Sequence, residues 1–281
     1  MTNRRNFLKI TGIGMAASAL PGLVNASTGQ AEAKSKRRKN NIQLGVASYT
    51  LRKFSTEDAL DMTLRCGVNR ITFKDMHLPL DSSQDEIRRV VDLCKKKGVT
   101  LYGAGVVYMK TKEDVDRAFE YAKTAGMEMI IGVPNHELLD YVEEKVKQYD
   151  IKLAIHNHGP GDKLYPSAES AYILIKNRDK RMGLCIDIGH TKRINRDPEQ
   201  DVKDFFDRVL DIHIKDVTAA SAEGKTCIIG RGVIDFPSFI KNVLKKGYKG
   251  TLALEYEDEA DDPLPGMMES FGYTKGILAM F

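Results

Sequence analysis

Histidine and acidic residues follow the ends of four apolar segments in the second half of the chain. These residues are His156, Asp187, His213 and Glu255. Two imidazoles and two carboxylates suit zinc, manganese, cobalt or iron better than magnesium or calcium, which prefer oxygen ligands. Buried charges without partners are too costly to keep. A fold that brings the four together would therefore hold one divalent metal ion.

The alternation of side chains along a strand indicates where these residues point. In residues 152–158, His156 and His158 share one face, and Leu153 and Ile155 take the other. The same parity gives each of the other segments a polar face, which holds Asp187, then His213 with Lys215, then Glu255 with Glu257. Because the apolar parity suits a helix layer, we expect the polar residues to point to the opposite side.

Strands and helices alternate from residue 42 onward. We predict eight strands, at residues 43–47, 70–73, 100–104, 129–132, 152–156, 183–187, 211–214 and 251–255. Amphipathic helices lie between them, for example at residues 56–66, 85–97, 112–124 and 236–246. Eight such units in about 240 residues predict an α/β fold of the (β/α)8 TIM-barrel type. A doubly wound open sheet is the alternative, but no Gly-x-Gly-x-x-Gly follows any predicted strand.

A TIM barrel carries its chemistry at the carboxyl ends of its strands, so further polar residues there are candidates for catalysis. We predict His158 as a general base, since imidazole titrates near neutral pH. Lys215 would polarise a substrate oxygen, and His190 would bind a hydroxyl or shuttle a proton. The structural alternatives are a core hydrogen bond for His158, an ion pair with Asp216 or Glu257 for Lys215, and a helix-start contact for His190.

Four other residues follow strands two and four and are weaker candidates for substrate contact. They are Lys74, His77, Asn135 and His136. We expect them to be solvated loop residues instead. Residues 158–161 contain two glycines and a proline, which predict either a tight loop over the barrel mouth or a simple turn.

Four segments of this chain resemble the xylose isomerase-like TIM-barrel family, whose members are also described as sugar phosphate isomerases and epimerases. The segments are residues 185–190, 211–216, 229–236 and 254–257, and the resemblance covers most of residues 42–281. In that family a glutamate, an aspartate, a histidine and a glutamate bind the metal. The resemblance implies that the last three correspond to Asp187, His213 and Glu255.

The family pattern is broken at its first glutamate, where this chain has residues 155–158, Ile-His-Asn-His. His156 is the predicted substitute ligand, with His158 second. In the family's epimerases two glutamates exchange protons on opposite faces of one carbon, so a histidine here weakens that reaction. One-base reactions remain, either enediol isomerisation of an aldose or proton abstraction beside a carbonyl with loss of a leaving group. Both use the metal as a Lewis acid.

Residues 1–26 are typical of a cleavable export signal. A start with three basic residues precedes an apolar run at residues 10–20 and a small-residue cleavage site at 24–26. The apolar run is too short for a good membrane span. Residues 3–9 also resemble the twin-arginine motif, and an ordinary secretory signal is the alternative. We therefore expect a bacterial protein exported to the periplasm, with residues 27–41 as a basic linker.

The net charge of +4 lies in this leader and not in the predicted barrel. Residues 1–26 carry three basic and no acidic residues, and residues 27–41 carry five basic residues and one acid, which leaves residues 42–281 at −3. A mildly acidic barrel has no positive field to attract phosphates, so we exclude nucleic acid as a partner.

Export also bears on the substrate, because sugar phosphates are cytoplasmic metabolites and no glycine-rich phosphate loop is evident. Some relatives of the family remove the C2 proton of 3-keto-glycosides and expel the aglycone from C1. We place this β-elimination first and an isomerase of a free sugar second. A nuclease of the apurinic endonuclease type would need more ligands on early strands, where residues 47–49 are Ala-Ser-Tyr. A non-catalytic metal- or sugar-binding protein would not need His158 or Lys215.

The chain has four cysteines, at positions 66, 94, 185 and 227. None forms a Cys-x-x-Cys pair, so we do not expect thiolate metal ligation. Export permits disulfides, but the sequence leaves their pairing open.

Overall fold

The structure is a computed structural model that describes residues 42–281. The predicted export signal at residues 1–26 and the basic linker at residues 27–41 lie outside the described residues. The predicted barrel, in contrast, falls within them.

Parallel strands close into a barrel in this part of the chain. The strands are β1 (Gln43–Ala47), β2 (Arg70–Phe73), β3 (Thr100–Met109), β4 (Met129–Pro134), β5 (Lys152–His156), β6 (Met182–Asp187), β7 (Val209–Ile214), β8 (Asp216–Val217), β9 (Thr226–Cys227) and β10 (Thr251–Leu254). The order around the barrel is β1-β10-β7-β6-β5-β4-β3-β2. Strands β8 and β9 form a separate antiparallel pair. The closed ring of eight strands confirms the predicted (β/α)8 fold and excludes the open sheet.

Helices surround the barrel and connect its strands. They are α1 (Thr56–Arg65), α2 (Gln84–Lys97), α3 (Lys112–Ala125), α4 (Leu139–Tyr149), α5 (Ala168–Ile175), α6 (Ile188–Arg193), α7 (Pro198–Asp204), α8 (Phe236–Lys246) and α9 (Leu264–Leu278). Local sequence fixes many of their ends. Thr111 and Asp114 form a reciprocal capping box at the start of α3, and Gly126 ends that helix at a φ of 65°.

The main core lies between the strands and the helix layer. Leu153 and Ile155 of β5 are at most 1% exposed, and Val142 and Val146 of α4 are fully buried in the same apolar cluster. Parallel strands covered by helices lose water from their outer face, which explains the β-branched and leucine-rich strand sequences. The alternate side chains of the same strands, which include the polar ones, therefore point into the barrel.

Strand β3 continues to Met109, five residues beyond the predicted end at residue 104. Its pairing with β4 shifts register between Ala104 and Val107, and the run resumes with Val107, Tyr108 and Met109. Glycines at 103 and 105 obscure the alternation in the sequence. The extension brings Tyr108 to the carboxyl end of the barrel.

Asp216 organises the loop that follows the short β8–β9 pair. Its carboxylate accepts hydrogen bonds from backbone N–H groups of four residues: Val217, Gly230, Gly232 and Ile234. A Cβ at position 232 would lie 2.3 Å from Asp216 Oδ1, so glycine is required there. Of the two ion-pair partners considered for Lys215, Asp216 is thus occupied by backbone donors, and Glu257 is the one that Lys215 contacts.

Candidate active site

Four buried side chains from consecutive barrel strands meet at the carboxyl end. His156 Nε2 lies 3.2 Å from His213 Nδ1 and 3.6 Å from Asp187 Oδ2. Glu255 Oε2 lies 3.9 Å from His156 Nε2 and 3.4 Å from His213 Nδ1. One ligand atom from each of the four lies within 4.8 Å of the others. The structure thus brings together the four residues that were predicted as metal ligands.

The separations and the chemistry of these donors fit one divalent ion. Ligand atoms bound to a zinc-type ion at about 2.0–2.2 Å lie roughly 3–4 Å from one another, and the four separations given above fall in this range. Burial lowers the pKa of His156 to about 4, so its imidazole is neutral at pH 7 and can act as a ligand. His156, Asp187, His213 and Glu255 could therefore hold one divalent metal ion.

The Lys215 ammonium is the main group that keeps the two buried carboxylates charged. Burial works to raise the pKa of Asp187 and Glu255, but the Lys215 ammonium and nearby histidines more than offset it, so both pKa values lie below the ordinary range. Burial likewise works to lower the pKa of His213, and the facing Glu255 carboxylate more than offsets it. Both carboxylates are consequently ionised at neutral pH, the form in which they bind metals.

Lys215 lies directly beside the cluster and is 1% exposed. Its Nζ is 3.0 Å from Glu255 Oε2 and 3.1 Å from Asp187 Oδ2, and it also donates to Glu257. The expected alternative pairing with Glu257 is therefore present. A Cβ at Gly189 would lie 2.7 Å from Lys215 Cγ, so the glycine leaves room for the lysine side chain.

His158 lies beside the cluster but is separate from the four converging donors. Its Nε2 is 3.1 Å from the Tyr108 hydroxyl, the two rings stack at 5.7 Å, and its Nδ1 is 3.7 Å from Asp162 Oδ2. Its ring centroid is 4.6 Å from that of His156. Burial and His190 lower the pKa of His158 below its ordinary value. A neutral imidazole in this position is available to accept a proton.

His190 makes the predicted helix-start contact and also faces the cavity. Its backbone N–H donates to Asp187 Oδ1 at 2.7 Å, so Asp187 caps the start of α6. The other carboxylate oxygen of Asp187, Oδ2, belongs to the four-donor cluster. Its Nε2 lies 3.4 Å from Lys215 Nζ. Burial and that ammonium lower the pKa of His190 to about 3. The neutral ring can bind a substrate hydroxyl.

A second polar layer lies beneath the cluster and was missed from sequence. Asp211 Oδ2 faces His213 Nε2 at 3.9 Å and accepts a hydrogen bond from the Tyr102 hydroxyl at 3.1 Å. Burial raises the pKa of Asp211 to about 6. At this distance the Asp211 carboxylate faces the His213 ring without a hydrogen bond between them. The parity shared by Asp211, His213 and Lys215 was the available sequence signal.

A cavity of about 280 Å³ opens over the cluster. It is lined by Tyr49, Lys74, Val106, Tyr108, His156, His158, His190, Glu255 and Glu257. Sequence reasoning missed Tyr49 and Tyr108 as lining residues. Its volume is at the lower end for small-molecule sites, which favours a ligand the size of one sugar ring.

The four weaker candidates are not equivalent in the structure. Lys74 is a half-buried loop residue that lines the cavity, a position from which it could contact a substrate. His77 is not solvated, because it is 3% exposed and its ring nitrogens lie 3.0 Å from Ser48 Oγ and 3.2 Å from the Leu51 carbonyl. His136 bonds the Leu164 carbonyl outside the cavity, and Asn135 bonds Glu137.

The four cysteines are free thiols, and three of them are buried. Cys185 Sγ lies close enough to His156 and His213 to form an alternative donor set. Burial, however, raises its pKa well above the ordinary value, which keeps the thiol protonated and a poor ligand. None of the helices within residues 42–281 is long and apolar enough to span a membrane.

Two curated relatives show local sequence similarity to this chain. The rhizopine catabolism protein MocC of Rhizobium meliloti is 27% identical over 46% of this chain and 44% of its own length. An inosose dehydratase of Lactiplantibacillus plantarum is 25% identical over 45% of this chain and 47% of its own length. The matched part of this chain thus spans less than half of each relative.

Comparison at the level of the fold and the family covers far more of the molecule. An uncharacterised protein from Parabacteroides distasonis superimposes with a TM-score of 0.67 at 25% identity, over 84% of this chain and 99% of that one. The sequence profile of the family described as "Xylose isomerase-like TIM barrel" matches residues 60–276. That range includes the whole candidate cluster and confirms the resemblance noted from the motifs. The chain belongs to the xylose isomerase-like TIM-barrel family.

Proposed function

We propose that this protein is a divalent-metal-dependent carbohydrate enzyme that removes a proton beside a sugar carbonyl. The observation that carries the proposal is that a four-donor cluster and a separate base, His158, open onto one cavity. The favoured reaction is β-elimination on a 3-keto-glycoside, in which C2 loses its proton and C1 loses the aglycone. A binding protein would have no use for a neutral imidazole placed outside the ligand set.

The metal, held by His156, Asp187, His213 and Glu255, would act as a Lewis acid that stabilises the enolate oxygen of the substrate. Lys215 is buried behind the carboxylates and does not line the cavity. Its role is therefore to hold Asp187 and Glu255 in place, in contrast to the substrate contact expected from sequence. His190 lines the cavity and binds a sugar hydroxyl.

His158 and Tyr108 supply the proton transfers. When the Tyr108 hydroxyl turns from His158 Nε2 toward the leaving oxygen, the freed lone pair of that nitrogen accepts the C2 proton, the C1–O bond breaks, and a C1–C2 double bond forms. The Tyr108 hydroxyl, which hydrogen-bonds the same nitrogen at 3.1 Å, gives its proton to the departing oxygen and recovers one from His158. An enone and an alcohol leave, and both side chains return to their initial protonation states. General acid–base groups of this kind contribute about 10²–10⁴-fold to rate.

The substitution of a histidine for the family's first glutamate supports a one-base reaction. Two-base epimerisation needs a carboxylate on each side of the reacting carbon, and His156 is instead engaged with His213 and Asp187. One of the curated relatives described above is named a dehydratase, and the removal of water is itself an elimination. We extend that reaction class, but not its substrate, to this chain.

The leader supports a substrate outside the cytoplasm. Residues 1–26 carry the features of an export signal, and we propose a periplasmic enzyme on that basis. Glycosides exist there, whereas phosphorylated sugars are cytoplasmic metabolites. Fusion of residues 1–41 to a reporter that is active only after export tests this part of the proposal.

The decisive assay offers the purified protein two kinds of substrate after its bound metal has been measured by elemental mass spectrometry. A 3-keto-β-glucoside with a chromogenic aglycone reports elimination, and free aldoses report isomerisation. We expect aglycone release with stoichiometric formation of an enone. Conversion of an aldose to a ketose without any aglycone release would replace the lyase with an isomerase. Metal binding without either reaction would indicate a binding protein.

A further inference from the structure

Lys74 stands apart from the other charged groups of the cavity. It follows β2, and its backbone N–H donates to Ser48 Oγ at 2.9 Å, which fixes the start of its loop. Its ammonium donates to the Val106 carbonyl at 3.0 Å and lies 5.8 Å and 5.5 Å from the ring centroids of Tyr49 and Tyr108. The side chain is half-buried and lines the cavity.

This ammonium has no acidic partner among residues 42–281, since no carboxylate there lies within 4.0 Å of it. The buried Lys215, by contrast, is within that distance of three carboxylates. A lysine ammonium has three N–H donors, and one backbone carbonyl satisfies one of them. Two donors and a full positive charge are left to face the cavity between the two tyrosine rings.

The position of Lys74 relative to the four-donor cluster indicates how a bound ligand would be oriented. In the ring of strands β2 stands diametrically opposite β6, which ends at Asp187. A ligand whose carbonyl oxygen lies on the cluster would therefore extend across the mouth toward Lys74. Glu257, which follows β10 two strands away from β2, lines the cavity outside the proposed ligand set and would repel a negative group on that flank, so an anionic group is directed to Lys74.

We propose that Lys74, between Tyr49 and Tyr108, is a subsite for a carboxylate on the sugar substrate, so that the preferred substrate class is the sugar acid or uronide. Charge-assisted hydrogen bonds to a carboxylate are about twice as strong as neutral ones. The tyrosine rings form the walls against which the apolar face of the sugar ring packs. This inference rests on the proposed carbohydrate function and specifies its substrate.

A carboxylate suits the subsite better than a phosphate. Phosphate sites in proteins present several backbone N–H groups, often at a helix N-terminus, together with cations. Here one ammonium provides the charge, and the nearest backbone group that it touches is an acceptor, the Val106 carbonyl. A phosphate dianion would need two cations to balance its charge, whereas a carboxylate needs only one.

The test compares two unreactive ligands that differ only at C6, methyl β-D-glucuronide and methyl β-D-glucoside, by calorimetric titration of the metal-loaded protein. Lys74→Met, Lys74→Arg and the charge-matched control Lys110→Met are compared with the wild type. Lys110 follows β3 at the same end of the barrel, is exposed and does not line the cavity. Thermal melting and metal content verify that each variant is folded and loaded.

We expect the wild type to bind the glucuronide about 10-fold or more tightly than the glucoside, as for a hydrogen bond to a charged group. Lys74→Met should abolish that preference while changing glucoside affinity less than about threefold, Lys74→Arg should retain part of it, and Lys110→Met should retain all of it. Equal affinities in the wild type would overturn the proposal. So would a glucuronide preference that persists in Lys74→Met, since the carboxylate would then be bound by the metal, or a stronger preference for glucose 6-phosphate.

The outcome is independent of the reaction, because neither glycoside has a keto group to react. A protein that prefers the glucuronide but eliminates nothing from 3-keto-glycosides would retain the subsite and reject the lyase. A protein that eliminates the aglycone but does not prefer the glucuronide would retain the lyase and reject the subsite. In an active enzyme, a 3-keto-glucuronide should have a lower KM than the 3-keto-glucoside, and Lys74→Met should equalise the two KM values with little change in kcat.

Discussion

The two ends of the barrel hold cavities of opposite character. The cavity at the amino end is the larger, at about 560 Å³ against 280 Å³, and charged residues such as Arg70, Glu128 and Lys152 line it. Several of its polar groups are nevertheless paired within the protein, and Arg70 also forms an ion pair with Glu128 at 3.5 Å. Arg70 Nε donates to Thr251 Oγ1 at 3.2 Å, and the Tyr248 hydroxyl donates to the Thr251 carbonyl at 2.9 Å.

At the carboxyl end, buried polar atoms remain without a hydrogen bond. Asp187 Oδ2, His156 Nδ1 and His213 Nε2 are in this group. An unpaired buried polar atom costs about 1–3 kcal/mol, so a fold keeps several together only where a ligand or a neighbouring charge compensates. Most of these unsatisfied atoms thus lie near the end with the smaller cavity, although Arg208 Nε at the amino end also has no hydrogen bond.

Removing a ligand from the carboxyl end should have the largest effect. His156→Ala deletes one of the four donors, and we expect metal affinity to fall more than about 100-fold and turnover to be lost with it. Elemental analysis after dialysis against a chelator measures the loss. His136→Ala, which removes a histidine outside the cavity, is the control. Full metal occupancy in the His156 variant would remove this residue from the ligand set.

Replacing the base should separate turnover from metal binding. His158→Ala leaves all four ligands in place, so the metal content should equal that of the wild type. We expect kcat to fall about 10²–10⁴-fold, the usual contribution of a general base. Steady-state kinetics at saturating metal measures it. Loss of metal in this variant would show that His158, the second candidate of the sequence analysis, is a ligand.

The amino end should respond to mutation through stability instead. The terminal nitrogens of the buried Arg208 guanidinium donate to four backbone carbonyls, those of Lys176, Arg178, Asp179 and Met182. Arg208→Met leaves these acceptors buried without donors, and we expect the free energy of unfolding to fall by about 3 kcal/mol or more. Denaturant titration measures the change. The folded fraction of this variant should bind as much metal as the wild type, which would show that the amino end contributes to stability and not to metal binding.

The proton relay predicts a smaller catalytic effect. Tyr108→Phe keeps the ring that stacks on His158 but removes the hydroxyl that protonates the leaving group. We expect kcat to fall about 10-fold for a poor leaving group such as methanol and less for nitrophenol, whose anion needs no proton. A series of aglycones of different acidity measures this dependence. An equal effect on all aglycones would exclude Tyr108 as the acid.

The smallest effect should come from the larger cavity. Lys152→Met changes a charged residue that lines the amino-end cavity, at the start of the strand that ends in His156. We expect kcat, KM and metal content to stay within about twofold of the wild type, as for an exposed substitution away from the site. A large loss of activity would mean that the amino end takes part in function and would break the comparison.

Much of the fold and of the cluster could be predicted from local sequence. The apolar parity of β5 and β7 and the polar residue at the end of each strand follow from side-chain alternation, which depends on the strand alone. Barrel closure then requires neighbouring strand ends to meet, so His156, Asp187, His213 and Glu255 converge in the structure as expected. The extension of β3 to Tyr108 was not predicted, because the glycines and the register shift obscure its alternation.

Sequence by itself determined the barrel, its family and the inward-facing residues, because each depends on short-range periodicity and on motifs. Tertiary structure decided what those residues do. It placed Lys215 against three carboxylates, gave His158 a tyrosine partner from β3 and left Lys74 without an acidic partner. These differences arise because partners come from strands far apart in sequence, and pairing, burial and solvent access are set only when the ring of strands closes.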